Sequence, residues 1–190
     1  IASCLVGSEM CIRDRVKFWI RIPLGQYFKG IFEPWLIAFT TCSSAAAMAS
    51  NLVASRRLGA TNAIASFAVP LGNTINMNGT AVYMGVCAVF AAQIYGLPLT
   101  FTDQVIVVIT GVLAAIGTAG VPGAGLIMST LVFTQIGIPL EVIGLIAGVD
   151  RILDMIRTSI NVVGDSTTVL AVSRMEGELG TEPFDEDEAK

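Results

Sequence analysis

The segment DRILDMIRTSINVVGD, residues 150–165, carries charged and amide side chains inside a mainly apolar stretch. These polar side chains are Asp150, Asp154, Arg157, Asn161 and Asp165. At about 100° per residue on an α-helix, the five positions fall within an arc of roughly 80° and form one polar stripe. A charge in the middle of a bilayer costs about 2.5 to 3.5 kcal/mol, and residues of this kind mark solute pathways. The spacing therefore predicts a helix whose polar stripe lines a binding site.

The composition favours the lipid bilayer as the solvent around this stripe. Of the 190 residues, 54% are apolar, 14% are charged and none is His, whereas about 25% of the residues in a soluble domain are charged. Between Leu58 and Val149 only Asp103 and Glu141 carry charge. That interval is longer than the roughly 20 apolar residues that one membrane helix needs. The sequence therefore predicts an all-α, multi-pass membrane protein, and it predicts no nucleic-acid partner.

An ion pair within the helix is the alternative interpretation of the stripe. Asp154 and Arg157 are three residues apart and could bond to each other while they hold neighbouring helices together. This interpretation leaves Asp165 unexplained, because no basic residue lies within the helical turn before it.

Four membrane elements are predicted between residues 28 and 174. In chain order they are a re-entrant hairpin at 28–57, a broken helix at 62–95, a second re-entrant hairpin at 101–137 and a last helix at 139–174. The second hairpin turns at GTAGVPGAG, residues 117–125, where the density of Gly and Pro ends a helix. Each of its arms has at most about 16 residues and is too short to cross a bilayer, although two ordinary spans are the alternative.

The chain ends are predicted to lie outside this unit. Residues 1–15 are interpreted as an artefact or as disordered, and 16–27 as an interfacial segment or the end of a preceding helix because bases and aromatic residues alternate there. Residues 175–190 hold seven of the fifteen acidic residues and are predicted to be a disordered tail. The bias of basic residues toward the cytoplasm places Arg56, Arg57 and Arg174 on the inside.

The broken helix predicts a second half for the site. Carbonyl groups that are freed where a helix breaks inside a membrane must find donors or cations. Those near Gly72, Thr74 and Asn76, together with the Asp165 carboxylate, offer the hard oxygen ligands that Na⁺ requires. A simple kink with amide hydrogen bonds between helices is the alternative for residues 76–80.

Four segments in this order resemble the C-terminal half of the dicarboxylate/amino acid:cation symporter family, which includes the glutamate transporters. They are TCSSAAA at 41–47, PLGNTINMNGT at 70–80, GTAGVPGAG at 117–125 and DRILDMIRTSINVVGD at 150–165. The resemblance implies that residues 28–174 form the core of a transport domain, with hairpin 1, broken helix 7, hairpin 2 and helix 8, in a homotrimer of the plasma membrane or the bacterial inner membrane.

The resemblance also implies roles for individual residues. Arg157 would bind the side-chain carboxylate of the solute, Asp154 its amino group, and hairpin 2 would close over it as an extracellular gate. The implied solute ligands and gate residues are Ser43, Ser44, Thr80, Val121, Gly125, Asp154, Arg157, Thr158 and Asn161. One cation site would use Asp165 with carbonyls of Gly72, Asn76 and Asn161, and another would use carbonyls of Thr74, Ala115, Ile116 and Thr118.

Two departures from the family pattern affect the expected selectivity. Asn78 stands where the family commonly has an Asp that helps to hold a third cation. Cys42 and Met155 stand at the two positions from which the family usually supplies a second Arg near the solute. The number of coupled cations and the solute therefore stay open.

The resemblance implies symport of an acidic amino acid or a C4 dicarboxylate with Na⁺, the chain being a fragment of the transporter. The alternatives are a neutral amino acid as solute, coupling to H⁺, or an inactive structural fragment. An enzyme is not predicted, because Ser43 or Cys42 as a nucleophile would have no His to act as its base.

Overall fold

The computed structural model describes residues 12–184, apart from the side chain of Arg15, and in this range it contains helices and no strand. The helices are α1 (Leu24–Thr41), α2 (Ser44–Arg57), α3 (Asn62–Ile75), α4 (Asn78–Ile94), α5 (Phe101–Ile116), α6 (Ala124–Gln135) and α7 (Val142–Met175), and a π-helical segment (Arg15–Ile20) precedes them. The all-α prediction is confirmed. Re-entrance of the two hairpins stays a prediction.

Hairpin 1 consists of α1 and α2, which pack against each other. Cys42 ends α1 in the left-handed conformation, with φ of 54°. Ser43 then starts α2 as its N-cap, and its Oγ accepts a hydrogen bond from the Ala46 N–H at 3.2 Å. The turn therefore lies within the polar run of residues 40–44.

The start of hairpin 1 differs from the sequence prediction. Residues 24–27 were predicted to belong to an interfacial segment or to the end of a preceding helix, whereas the first helix of hairpin 1 already begins at Leu24, directly after Pro23. Tyr27 is fully buried in this first turn, while Phe28 is 49% exposed. The composition alone could not separate these positions from the hairpin, because the same helix carries buried and exposed aromatic residues.

Two further interruptions organise the rest of the bundle. The helix of residues 62–94 breaks at Asn76 and Met77, which separate α3 from α4. Residues 117–123 separate α5 from α6, and these two helices form hairpin 2. Thr100 and Asp103 form a capping box at the start of α5, which satisfies helix N–H groups that would otherwise lack partners.

The long helix α7 is the element that the others surround. It packs against α1, α2, α3, α4, α6 and the π-helical segment. One apolar core lies between α4, α5, α6 and α7, and it includes Met84, Val132 and Phe133. A second core joins the π-helical segment, α1, α3 and α7. The polar stripe of α7 lies among these packed helices.

Both chain ends depart from what composition suggested. Residues 12–15 were set aside as artefact or disordered, but 12–14 are helical and Ile12 packs in the second core. The described part of the acidic tail, up to residue 184, is mostly exposed but makes hydrogen bonds to the turn between α2 and α3. Residues 1–11 and 185–190 lie outside the described residues.

Large apolar side chains cover much of the outer surface. Phe101 is 81% exposed and Phe67 is 71% exposed, which is the surface expected of a protein that contacts lipid or further apolar helices. Among the described residues, one helical segment, Asn62–Ile94, is long and apolar enough to cross a membrane. The helices α5 and α6 are apolar but shorter.

Hydrogen bonds as well as apolar contacts attach hairpin 1 to α7. Tyr27 Oη lies 2.7 Å from Thr167 Oγ1 and also donates to the Val163 carbonyl at 3.2 Å. Asn51 of α2 accepts a hydrogen bond from the Ser166 hydroxyl. Buried polar groups of this kind fix the rotation of one helix against another, because each needs its partner.

Replacing Tyr27 by Phe should lower the free energy of unfolding of the complete protein by about 1 kcal/mol, because one buried hydrogen-bonding hydroxyl contributes about that much. Thermal or denaturant unfolding in detergent measures this change. Tyr95→Phe is the control, since Tyr95 is 40% exposed. Equal losses from the two variants would contradict the assigned contact.

Candidate functional site

The polar stripe of α7 is buried along its whole length. The exposed fractions are 7% for Asp150, 2% for Asp154, 4% for Arg157, 4% for Asn161 and 2% for Asp165. The stripe therefore faces other protein elements, as the spacing predicted. Because a buried ionised group needs a compensating partner, the contacts of each side chain show which donors and acceptors of the site are already paired.

Arg157 is only partly satisfied by its neighbours. Its Nη2 donates to Asp154 Oδ1, so the ion pair within the helix that was weighed as an alternative does form. Its Nε and Nη1 are enclosed and have no hydrogen-bond partner among the described residues. A guanidinium group presents its donors in a planar fork that matches a carboxylate. The Nε and Nη1 groups of Arg157 are therefore buried donors that the side chains of the described residues leave unpartnered.

Tyr83 of α4 supports Arg157 from the side. The guanidinium carbon of Arg157 lies 5.1 Å from the centre of the Tyr83 ring, within cation–π distance. The Tyr83 hydroxyl donates to Asp150 Oδ1 at 2.7 Å. One aromatic side chain thus contacts a cation with its ring face and an anion with its hydroxyl group.

The tip of hairpin 2 closes against the same charges. The Gly123 N–H donates to Asp154 Oδ2 at 2.8 Å. Gly125 lies so close to the Arg157 guanidinium that a Cβ atom there would overlap it. Val121, predicted as a gate residue, is 49% exposed and lines the narrow cavity beside Arg157. Arg157, Thr158 and Asn161 line the same cavity.

The tip of hairpin 1 meets the tip of hairpin 2. Ser43 Oγ donates to the Gly120 carbonyl at 2.8 Å, and the Ala45 N–H donates to the same oxygen at 3.3 Å. Ser44 is 2% exposed and its Oγ has no partner among the described residues. Ser44 lines the same cavity as Arg157. The two predicted serines therefore divide their roles, since Ser43 joins the tips and Ser44 is available to a ligand.

Three predicted solute ligands form the floor of the cavity. Thr158 donates to Asp154 Oδ1 at 2.9 Å. Asn161 accepts from the Gly79 N–H at 2.8 Å and donates to Thr80 Oγ1 at 3.0 Å. These contacts bring α7 and the start of α4 into one polar cluster. Each predicted solute ligand either lines the cavity or contacts a residue that lines it.

The first predicted cation site is assembled in part. Asn76 Nδ2 donates to Asp165 Oδ1 at 3.0 Å, and Gly72 packs directly against the Asp165 carboxylate. Asn161 lies one helical turn away, where its side chain bonds to Gly79. The Gly72 carbonyl accepts the Asn76 N–H at 2.8 Å, so its second lone pair is the one left for a cation.

Among the described residues, the two halves of the second predicted cation site are not joined by hydrogen bonds. Thr74 Oγ1 bonds to the Pro70 carbonyl in its own helix, and Thr118 Oγ1 bonds to the Ala114 carbonyl. The Ala115 carbonyl accepts from the Thr118 N–H, and Ile116 ends α5. Although α3 and α5 touch, no hydrogen bond within residues 12–184 connects Thr74 with these hairpin 2 residues.

Asn78 is the first residue of α4, directly after the break, and lies next to α7. Its Oδ1 accepts from the Gly79 N–H at 2.9 Å. A Cβ atom on Gly164 would lie 3.1 Å from Asn78 Nδ2 and 3.3 Å from Asn76 Nδ2. Glycine at this position of α7 therefore lets the amide-bearing break approach the helix.

Comparison with known proteins identifies the family. A family model described as the sodium:dicarboxylate symporter family matches residues 12–175. The chain belongs to this family. The match begins earlier than the resemblance recognised from about residue 28, and it includes residues 12–15 that were interpreted as artefact.

Relatives within the family are named as transporters of acidic amino acids. Over 141 residues the chain is 45% identical to an excitatory amino acid transporter of Caenorhabditis elegans, covering 74% of this chain and 28% of the relative. It is 39% identical over 141 residues to a proton/glutamate-aspartate symporter of Escherichia coli (strain K12), covering 74% and 32%. It is 34% identical over 161 residues to a proton/sodium-glutamate symport protein of Geobacillus stearothermophilus, covering 85% and 38%. The chain thus spans about a third of the length of these relatives.

The sequence reasoning for this symporter-family chain missed three contributors to the site. They are Tyr83, the Gly123 N–H and the Gly120 carbonyl. Tyr83 follows Thr80 by three residues, so the same helix face could have indicated it. The backbone groups carry no sequence signal beyond the glycine-rich run, because any residue provides an N–H or a carbonyl group at that position.

Gly125→Ala should destabilise the complete protein by about 1 to 3 kcal/mol, the usual cost of overpacking. The added Cβ would displace a guanidinium that Asp154 and Tyr83 hold on its other sides. Unfolding in detergent measures the change. Gly144→Ala is the matched control, because Gly144 lies in α7 with no atom within 4 Å of a Cβ placed there; equal stability of the two variants would show that Gly125 does not pack as described.

Proposed function

We propose that the chain forms part of a secondary active transporter that carries an acidic amino acid or a C4 dicarboxylate together with Na⁺. The observation that carries this proposal is the buried Arg157, with Nε and Nη1 unpartnered beside a cavity. Asp154 already pairs with one nitrogen of this guanidinium, so its two remaining donor groups favour a further acceptor, and a carboxylate matches the planar fork. The family membership and the names of the relatives support a carboxylate-bearing solute.

The charges around the cavity support coupling to cations. Three buried carboxylates, Asp150, Asp154 and Asp165, share the α7 stripe with one buried guanidinium. An acidic solute would add further negative charge to this region. Cations or protons that bind together with the solute would remove the imbalance, and an isolated buried charge is costly without such compensation.

Asp165 is the proposed anchor for one Na⁺, with carbonyls of Gly72, Asn76 and Asn161 as the further ligands. The contact of Asp165 with Asn76 and with Gly72 supports this set. The second set, which uses carbonyls of Thr74, Ala115, Ile116 and Thr118, rests on the family resemblance alone. Asn78 contributes an amide oxygen without charge, so we propose no third cation at that position.

Hairpin 2 is the proposed gate. Its tip reaches the site through Gly123 and Gly125, which contact Asp154 and Arg157. Both charged side chains are the ones assigned to the solute. Opening of the tip would therefore expose the site, and closure would surround the solute with backbone N–H groups.

We further propose a multi-pass location in the plasma membrane or the bacterial inner membrane, in a homotrimer of the complete protein. The long apolar segment Asn62–Ile94 and the exposed apolar side chains support contact with lipid. Coupling to H⁺ is a second candidate, favoured by the names of two relatives as proton symporters or proton/sodium symporters. A neutral amino acid remains the alternative solute because Cys42 and Met155 supply no second cation.

Arg157→Ala in the complete protein should weaken binding of aspartate at least ~100-fold, because two hydrogen bonds between charged groups are lost. Arg157→Lys keeps the charge but not the fork, and should retain part of the affinity. Uptake of labelled aspartate into vesicles, with unlabelled serine or malate as competitor, measures both affinity and selectivity. Arg174→Ala, at the far end of the same helix, is the control. Unchanged aspartate affinity in Arg157→Ala, or competition by serine alone, would refute the acidic solute.

Asp165→Asn should raise the Na⁺ concentration for half-maximal uptake about 10-fold, while aspartate affinity at saturating Na⁺ changes little, because one charged ligand is replaced by a neutral amide of the same shape. Uptake measured against Na⁺ at fixed aspartate tests this. Glu141→Gln, an exposed carboxylate at the start of α7, is the control. If wild-type uptake follows a pH gradient and ignores Na⁺, the coupling ion is H⁺.

A further inference from the structure

The segment after α7 lies across the turn that connects hairpin 1 to the broken helix. The Gly180 N–H donates to the Gly59 carbonyl at 2.7 Å. A Cβ atom on Gly59 would lie 3.2 Å from the Gly180 nitrogen, so the two backbones are in direct contact. Leu179 packs against the second apolar core. Residues 178–184 are called the strap below.

Two carboxylates of the strap bind the start of α3. The Asn62 N–H donates to Glu182 Oε2 at 2.6 Å, and Thr61 Oγ1 donates to Glu178 Oε2 at 2.9 Å. Thr61 is the N-cap residue of α3, but its side chain makes no capping hydrogen bond. The strap thus supplies the negative charge and the acceptor that the first N–H groups of a helix require.

The third contact is between aromatic and basic side chains. The guanidinium carbons of Arg56 and Arg57, in the last turn of α2, lie 5.6 Å and 5.5 Å from the centre of the Phe184 ring. Both distances are within cation–π range. Hydrogen-bond donors, a helix N-terminus and two arginines at this turn therefore complement a segment that carries two carboxylates and an aromatic side chain.

We propose that residues 56–62 form a docking surface for such a segment, and that the strap occupies it within the same chain. The bound strap ties the end of α7 to the joint between α2 and α3. Hairpin 1 and the broken helix both depart from this joint, so a docked strap restrains their relative movement. Apart from Leu179, its contacts are polar and partly solvent-accessible, so release of the strap removes one partly buried side chain from the edge of the second core.

Amide hydrogen exchange in the complete protein tests the docking directly. In the wild type the Asn62 and Gly180 amides should be protected, because each donates to the partner described above. Glu182→Ala should accelerate exchange of Asn62 about 10-fold or more, since a first-turn helix amide without a partner is open to water. Glu176→Ala, which removes an exposed carboxylate just before the strap, should leave Asn62 unchanged. Equal exchange of Asn62 in all three proteins would overturn the proposal.

A peptide experiment tests the surface independently of the connection to α7. A variant of the complete protein that ends at Gly177 lacks the strap, so its Asn62 amide should lose protection. The synthetic peptide ELGTEPF, residues 178–184, should bind to this variant and restore the protection of Asn62. The same peptide with both Glu residues replaced by Gln should bind at least about 10-fold more weakly, because the acceptors lose their charge. Equal binding of both peptides overturns the proposal. Restored protection in Glu182→Ala on adding vesicles of anionic phospholipid would also overturn it, because a lipid headgroup would then be the occupant.

Discussion

Burial of several charges on one face of α7 is the constraint on which the rest of the structure depends. Each of these charges needs a partner. Tyr83 of α4 supplies one for Asp150 through its side chain, and Arg157 and Asp154 pair with each other. The backbone of a continuous helix bonds internally, so the further donors come from interruptions. Gly123 donates to Asp154 from the hairpin 2 turn, and Asn76 donates to Asp165 from the break between α3 and α4. The hairpin 2 turn and the break between α3 and α4 therefore lie beside the α7 carboxylates that need hydrogen-bond donors.

The same constraint explains why the contacts around α7 are close. Gly164 on α7 faces the amides of the break, and Gly125 of hairpin 2 faces the Arg157 guanidinium. A side chain at Gly164 or Gly125 would push the break or hairpin 2, respectively, away from the polar face of α7. Close backbone approach is thus a condition for satisfying the stripe, and it accounts for the glycine content of the segments that meet there.

Much of the fold could be predicted because the signals are local. The spacing of Asp154, Arg157 and Asn161 specifies a helix face, and the Gly and Pro run at residues 117–125 specifies a turn. Contacts between elements carry no such signal. The pairing of Tyr83 with Arg157 depends on how α4 is rotated, and docking of the strap depends on where α7 ends relative to Asn62. An acidic composition predicted disorder at residues 178–184 because composition does not reveal a complementary basic turn elsewhere.

The contacts at Asp154 connect the proposed solute site with the proposed gate. Its carboxylate accepts from Arg157 and Thr158 on α7 and from the Gly123 N–H on hairpin 2. A hairpin 2 movement that opens the cavity must break the last of these bonds and leave one lone pair of a buried carboxylate unsatisfied. In the proposed transporter, the amino group of a solute would satisfy that carboxylate in its place. Closure of the tip and binding of the solute then both depend on the Asp154 carboxylate. A change in either one therefore changes the hydrogen bonds that Asp154 can offer to the other.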